Sequence, residues 1–177
     1  LRLEAYCDAN WAGLDNGTSK STSGSIIYFG GGPIDWKSNL QSTVATSSAN
    51  AETVAAFESS KSVHYYRQFL DELGMPENSP TIIWEDNTSC IAQSKNFVQS
   101  SKTKHMPIKF HYLRDLVTDG HVKLEYVVTT DQVADIFTKP LPPRDFQRLV
   151  PFLVSSSTSF STTLPNTSTP PTTSSSS

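Results

Sequence analysis

Leu1, Leu3, Ala5 and Cys7 alternate with Arg2, Glu4, Tyr6 and Asp8. That period of two predicts a strand with one buried face, ending on Asp8. Gly13 to Ser23 is small and polar and reads as a turn. Ser25 to Phe29 and Ile34 to Lys37 read as second and third strands, punctuated by Gly30-Gly31-Gly32-Pro33. The period then lengthens. Ser47 or Ser48 can cap a helix running to the Gly74 stop, with Val63, Tyr66, Leu70 and Leu73 as its core stripe. Glu52 falls in its first turns, where the helix dipole favours a carboxylate. Thr81 to Trp84 predicts a short buried strand that delivers Asp86 at its C-terminal end. A short helix from about Asn87 to Lys95, a basic loop, and a helix around Phe110, Leu113, Leu116 and Val117 follow, the last stopped by Gly120. Val122, Leu124, Tyr126 and Val128 alternate in a fifth strand. Asp131 is then expected to cap a last helix, with Asp135 one turn in.

The order β-β-β-α-β-α-α-β-α predicts an α/β fold. Its mixed five-stranded sheet combines a three-strand antiparallel meander with parallel strands, flanked by helices. In open sheets of this kind ligands gather at the carboxyl ends of strands. Composition divides the chain in two. Residues 1–153 can build a core, whereas 154–177 are almost entirely Ser, Thr and Pro and are expected to be disordered. The chain begins at Leu1 without Met or a signal peptide and reads as a fragment of something longer.

No stretch is apolar and long enough to span a membrane. Cys7 and Cys90 make neither a disulfide framework nor a thiolate metal site, so reduced, intracellular thiols are expected. The net charge of −3 argues weakly against a nucleic-acid partner. Against that, Lys102-Thr103-Lys104-His105, with Lys109, His111 and Arg114, concentrates enough positive charge for phosphate contacts.

Candidate chemistry lies in four acids: Asp8, Glu52, Asp86 and Asp135. Singly, each has an ordinary reading as a turn residue or a dipole-favoured surface acid. Asp131 is adequately explained as a cap, so Asp135 is taken as the fourth ligand. Glu85 rivals Asp86, but the alternation puts it on the opposite face. The case rests on joint occurrence, each acid at an element end in an order that makes them converge. Clustered carboxylates repel and raise one another's pKa. Divalent ions neutralise them, and hard Mg²⁺ prefers such oxygen ligands. A pair of ions about 3.5–4 Å apart recurs in phosphodiester cleavage. His64, His105, His111 and His121 lack zinc-site spacing. Trp36 and Trp84 are expected in the core, and Trp11 near the floor of a substrate groove.

Several segments in series resemble the ribonuclease H domain of copia-type retrotransposon Pol polyproteins. They are Asp8-Ala9-Asn10-Trp11-Ala12-Gly13, Ser21-Thr22-Ser23-Gly24, Gly30-Gly31 with Ile34-Asp35-Trp36-Lys37-Ser38, Val44-Ala45-Thr46-Ser47-Ser48 leading to Ala51-Glu52, and Asp86-Asn87. Lys102-Thr103-Lys104-His105 and Gln132-Val133-Ala134-Asp135-Ile136-Phe137-Thr138-Lys139-Pro140-Leu141 complete the set. The resemblance implies cutting of the RNA strand of an RNA–DNA hybrid with two Mg²⁺, Mn²⁺ substituting. Asp8, Glu52, Asp86 and Asp135 are implied as ligands. Asn10, Trp11, Ser48, Asn87, Lys102, Lys104 and His105 are expected at the substrate. The implied partners are the hybrid and the reverse transcriptase domain of the same polyprotein, in a cytoplasmic retrotransposon particle. Two departures stand out. Cellular relatives carry a histidine before the last helix, where this chain has Thr129-Thr130-Asp131. Relatives also continue a helix beyond Arg148, where this chain has Pro151. Two other readings stay open: a different metal-dependent nuclease on the same fold, and a catalytically silent remnant that binds nucleic acid or supports a polymerase.

Overall fold

The N-terminal alternation becomes β1 (Leu3–Asn10), which runs past Asp8 to Asn10 rather than ending on the acid. Leu3, Ala5, Cys7 and Ala9 turn to the helical side of the sheet, while Tyr6 packs on the other face. The computed structural model describes residues 1–13, 18–95 and 108–154. The expected Ser/Thr/Pro tail, apart from Val154, and the basic run at Lys102, Lys104 and His105 lie outside them.

β2 (Thr22–Phe29) and β3 (Gly32–Leu40) complete the antiparallel meander. Gly30 and Gly31 join them with φ of 61° and 85°. Two positive-φ residues make a tight hairpin whose twist matches the strands. β4 (Thr81–Glu85) and β5 (Val122–Tyr126) add in parallel on the other side of β1, giving the order β3-β2-β1-β4-β5. The expected mixed five-stranded sheet is therefore the one formed.

α1 (Ser48–Glu72) crosses the sheet, capped by the Ser47 hydroxyl, which accepts from the Asn50 amide at 3.1 Å. Ala51, Ala55, Ala56, Ser59 and Ser60 line its buried stripe. Such small residues let a helix lie close on a sheet. Val63 and Leu70 are buried as expected, but Leu73 is mostly exposed, because it lies beyond the end of α1 and off its buried stripe. α2 (Thr88–Lys95) and α3 (Ile108–Thr118) close the core over Ile83, Leu113 and Leu124. Trp36 is a second correction: it is 61% exposed, because it lies on β3, an edge strand of the sheet. Trp84 is half-buried and tilts against Tyr6.

The predicted last helix is a pair of 3-10 segments, Thr129–Asp131 and Val133–Phe137, and α4 (Pro143–Leu149) comes after them. Asp131 is not the cap of the acid-bearing segment. Gln132 is, its side-chain oxygen accepting from the Ala134 amide at 3.2 Å. Its Nε2 donates to the Cys7 carbonyl at 2.9 Å, which fastens this segment to β1.

Gly24 makes room for it. Gly24 pairs in register with Asp8, and a Cβ there would meet Thr138 Cγ2 at 2.6 Å and the Ala134 carbonyl at 2.9 Å. Gly24→Ala is therefore expected to lose about 1–3 kcal/mol of stability by overpacking. Denaturant unfolding of the variant checks this; an unchanged midpoint would contradict the close approach.

Candidate metal centre

Four elements converge at one edge of the sheet. β1 presents Asp8, the first turns of α1 present Glu52, and the turn after β4 presents Asp86. One carboxylate oxygen from each lies within 4.8 Å of the others. Asp8 and Glu52 are buried and Asp86 half-buried. Asp135, on the 3-10 segment, stands beside Asp8 but outside this threefold group. Lys139 bridges the two, its Nζ 2.8 Å from Asp135 Oδ1 and 3.9 Å from Asp8 Oδ2. The Thr138 hydroxyl donates to Asp8 Oδ2.

The electrostatics are those of a pocket short of positive charge. Burial pushes the Glu52 carboxyl far above the usual range, and Glu85, Asp8 and Asp86 push it further, against a small pull from the Ala9 amide. Burial also raises Asp135; the Lys139 ammonium opposes this and Asp8 reinforces it. Lys139 is raised in turn: burial works against its charge, but Asp8 and Asp135 outweigh that.

A buried acceptor without a donor marks the same spot: among the described residues Glu52 Oε2 has no hydrogen-bond partner. Asp135 Oδ1 is buried too, and the Lys139 ammonium pairs with it at 2.8 Å. Stranded, desolvated oxygens in a protein interior are costly. Glu52 belongs to the group whose oxygens meet within 4.8 Å, where a hard divalent cation would satisfy it, so the donor set fits such an ion.

Glu85 is the acid that periodicity discounted. It is fully buried beside the cluster, close enough that its charge raises Glu52 while Asp86 and Asp8 raise it in turn. Its Oε1 accepts from the Asn87 amide at 3.0 Å and its Oε2 from the Cys7 thiol at 3.3 Å. Burial raises its pKa despite those bonds. Cys7 and Cys90 are both buried and free. Lys139, Thr138 and Gln132 were also missed as contributors, although the i,i+4 spacing of Asp135 and Lys139 was a readable sign.

The expected substrate residues divide. Asn10 closes β1, and Trp11 stands half-exposed beside it, its indole N–H donating to the Ala45 carbonyl at 3.1 Å. Ser48 is the exposed first residue of α1. Asn87 caps α2, its Oδ1 accepting from the Cys90 amide at 3.1 Å. His64 and His121, unrelated by sequence spacing, meet with ring centroids 5.2 Å apart on a separate surface.

No protein-family model matches the chain. It is 37% identical over 146 residues, 82% of its length, to the retrovirus-related Pol polyprotein from transposon TNT 1-94 of Nicotiana tabacum. Over 147 residues, 83% of its length, it is 39% identical to the Pol polyprotein from transposon RE1 of Arabidopsis thaliana. It spans only 11% and 10% of those polyproteins. Among solved structures, a ribonuclease H1 isolated from compost by a metagenomic approach superposes with a TM-score of 0.55 at 15% identity, over 77% of this chain and 92% of the other. The ribonuclease H1 of Halobacterium salinarum gives 0.53 at 15%, over 78% and 95%. The compost enzyme in complex with an RNA/DNA hybrid gives 0.53 at 14%, over 77% and 94%. At such identities the likeness establishes the fold. Taken with the sequence identities, it places the chain among the Pol polyproteins of copia-type retrotransposons, of which it is a ribonuclease H-fold segment.

Proposed function

We propose that this segment cuts the RNA strand of RNA–DNA hybrids at the acid cluster, using two Mg²⁺ ions for which Mn²⁺ can substitute. The observation that carries the reading is the meeting of Asp8, Glu52 and Asp86 oxygens within 4.8 Å, at the carboxyl edge of a ribonuclease H-fold sheet. When bound, such ions supply an activated water and stabilise the departing oxygen. The chain's own residues do the rest. Asp8, Glu52, Asp86 and Asp135 hold the ions, and Thr138 fixes the rotamer of Asp8. Gln132 keeps the Asp135 segment against β1.

A cleft of about 220 Å³ at the start of α1 is lined by Thr46, Ser47, Asn50, Gln93 and Lys109 among others. Hydroxyls, amides and a lysine there suit a backbone phosphate. Asn10 and Trp11 follow Asp8, Asn87 follows Asp86, and Ser48 opens the helix that carries Glu52, which suits them to a substrate laid over the acids. The 2′-hydroxyl is the group by which they would tell RNA from DNA. Lys102, Lys104 and His105 are assigned further phosphates in this reading. The reverse transcriptase part of the same polyprotein is its natural partner, and the cytoplasmic retrotransposon particle its setting. Among the described residues no helix is long and apolar enough to cross a membrane.

The test incubates the full chain with end-labelled hybrid and, separately, duplex DNA, in Mg²⁺ or EDTA. Mg²⁺-dependent cutting of the RNA strand is expected. Preferential cutting of duplex DNA would overturn the hybrid assignment, and metal-dependent binding without cutting would identify a silent remnant.

A further inference from the structure

Lys139 combines a fixed backbone with a partly exposed charge. The Thr138 and Lys139 amides both donate to the Asp135 carbonyl, at 3.2 and 3.3 Å. Pro140 follows and ends the turn. The Lys139 side chain, however, is one-third exposed, so its ammonium can reach solvent along a flexible four-carbon stem. Its two contacts are unequal: a close ion pair to Asp135 Oδ1 at 2.8 Å, and a longer approach to Asp8 Oδ2 at 3.9 Å, beyond hydrogen-bond reach. Asp8 has a second hold, the Thr138 hydroxyl, which stays when the lysine leaves.

A single positive charge in that position has two consequences. It offsets the repulsion between Asp8 and Asp135 in the ion-free protein. It also occupies oxygens that a divalent cation needs. We infer that Lys139 is a tethered counter-ion of the acid cluster: its ammonium holds Asp8 and Asp135 together without a divalent ion and competes with one for their oxygens. The inference rests on the proposed reading of the cluster as a divalent-ion centre. It makes Lys139 a positioning residue with an exit. A substrate phosphate arriving at the cluster offers the ammonium a new partner, so substrate binding and ion loading reinforce each other.

A merely structural ion pair predicts the opposite behaviour, since deleting it would disorder the ligands and weaken ion binding. The experiment titrates Mn²⁺ into the full chain by calorimetry, without substrate, for wild type, Asp86→Asn, Lys139→Met and Lys139→Arg. Melting temperatures are read in EDTA. Lys139→Met is expected to bind Mn²⁺ about tenfold or more tightly than wild type. It should also melt lower in EDTA. Lys139→Arg keeps the charge and should keep the weaker affinity. Lys139→Gln repeats the comparison if the Met variant does not fold. Equal or weaker Mn²⁺ binding by the uncharged variants, with Asp86→Asn losing it, overturns the counter-ion role alone. Wild-type binding that Asp86→Asn leaves unchanged sinks the metal centre itself, and the inference with it.

Discussion

Asp86→Asn is expected to lose hybrid cleavage by about 10³-fold, the scale on which a single placed electrostatic group contributes to catalysis. Asparagine keeps the shape of the side chain and removes one of the three acidic groups that meet within 4.8 Å. An amide still offers one neutral oxygen but not the charge a hard cation needs. The fold should not suffer. Asp86 is half-buried, and its charge adds to the repulsion that raises Glu52. In EDTA the variant should therefore melt at or above the wild-type temperature. Gel-resolved cleavage in Mg²⁺ and a thermal melt in EDTA measure the two effects on one preparation. Near-wild-type cutting would show that Asp86 is not a ligand. A large drop in melting temperature would show that it is structural.

The second large effect is on stability against pH. In EDTA, stability is expected to fall as pH rises from about 5 to about 8. Glu52, Glu85 and Asp135 all have folded-state values raised, in each case chiefly by burial. Between the ordinary carboxylate value of about 4 and those raised values, the folded protein holds protons that the unfolded chain has released. Stability then declines with pH; the contribution is complete below the unfolded value and is lost as pH climbs through the folded ones. Each retained proton costs about 1.4 kcal/mol per pH unit, so one group held neutral across this range accounts for up to about 4 kcal/mol.

His64 works in the opposite sense. Its value is lowered, first by burial and then by His121 and Arg67, so its contribution rises with pH as the unfolded imidazole deprotonates. Glu52→Gln separates the two, since it removes a cluster proton and leaves the histidines alone. The variant should show a flatter pH profile, and Mg²⁺ should flatten that of the wild type. A wild-type profile in EDTA that rises steadily over this range would mean that the cluster is ionised and solvated.

Much of this was legible in the chain because it is locally encoded. The alternation of Leu3, Ala5 and Cys7, the cap at Ser47, the stops at Gly74 and Gly120, and the double-glycine hairpin are short-range signals, and each produced the element it announced. Spacing failed where packing overrides propensity. Leu73 fits the helical stripe but lies beyond the end of α1, and Trp36 looks like core yet sits on an edge strand. The segment carrying Asp135 reads as a helix, but close packing over Gly24 goes with a tighter 3-10 path.

For the centre itself, the residue types and element order named four acids and argued that they converge, since a mixed sheet gathers its strand ends at one edge. Distances, partners and charge state needed the fold. Only packing put Glu85 beside the cluster, set Thr138 on Asp8, and left Lys139 between two carboxylates. The physical reason is that periodicity reports which face a residue occupies, whereas desolvation and Coulomb energy depend on what the rest of the chain places against that face.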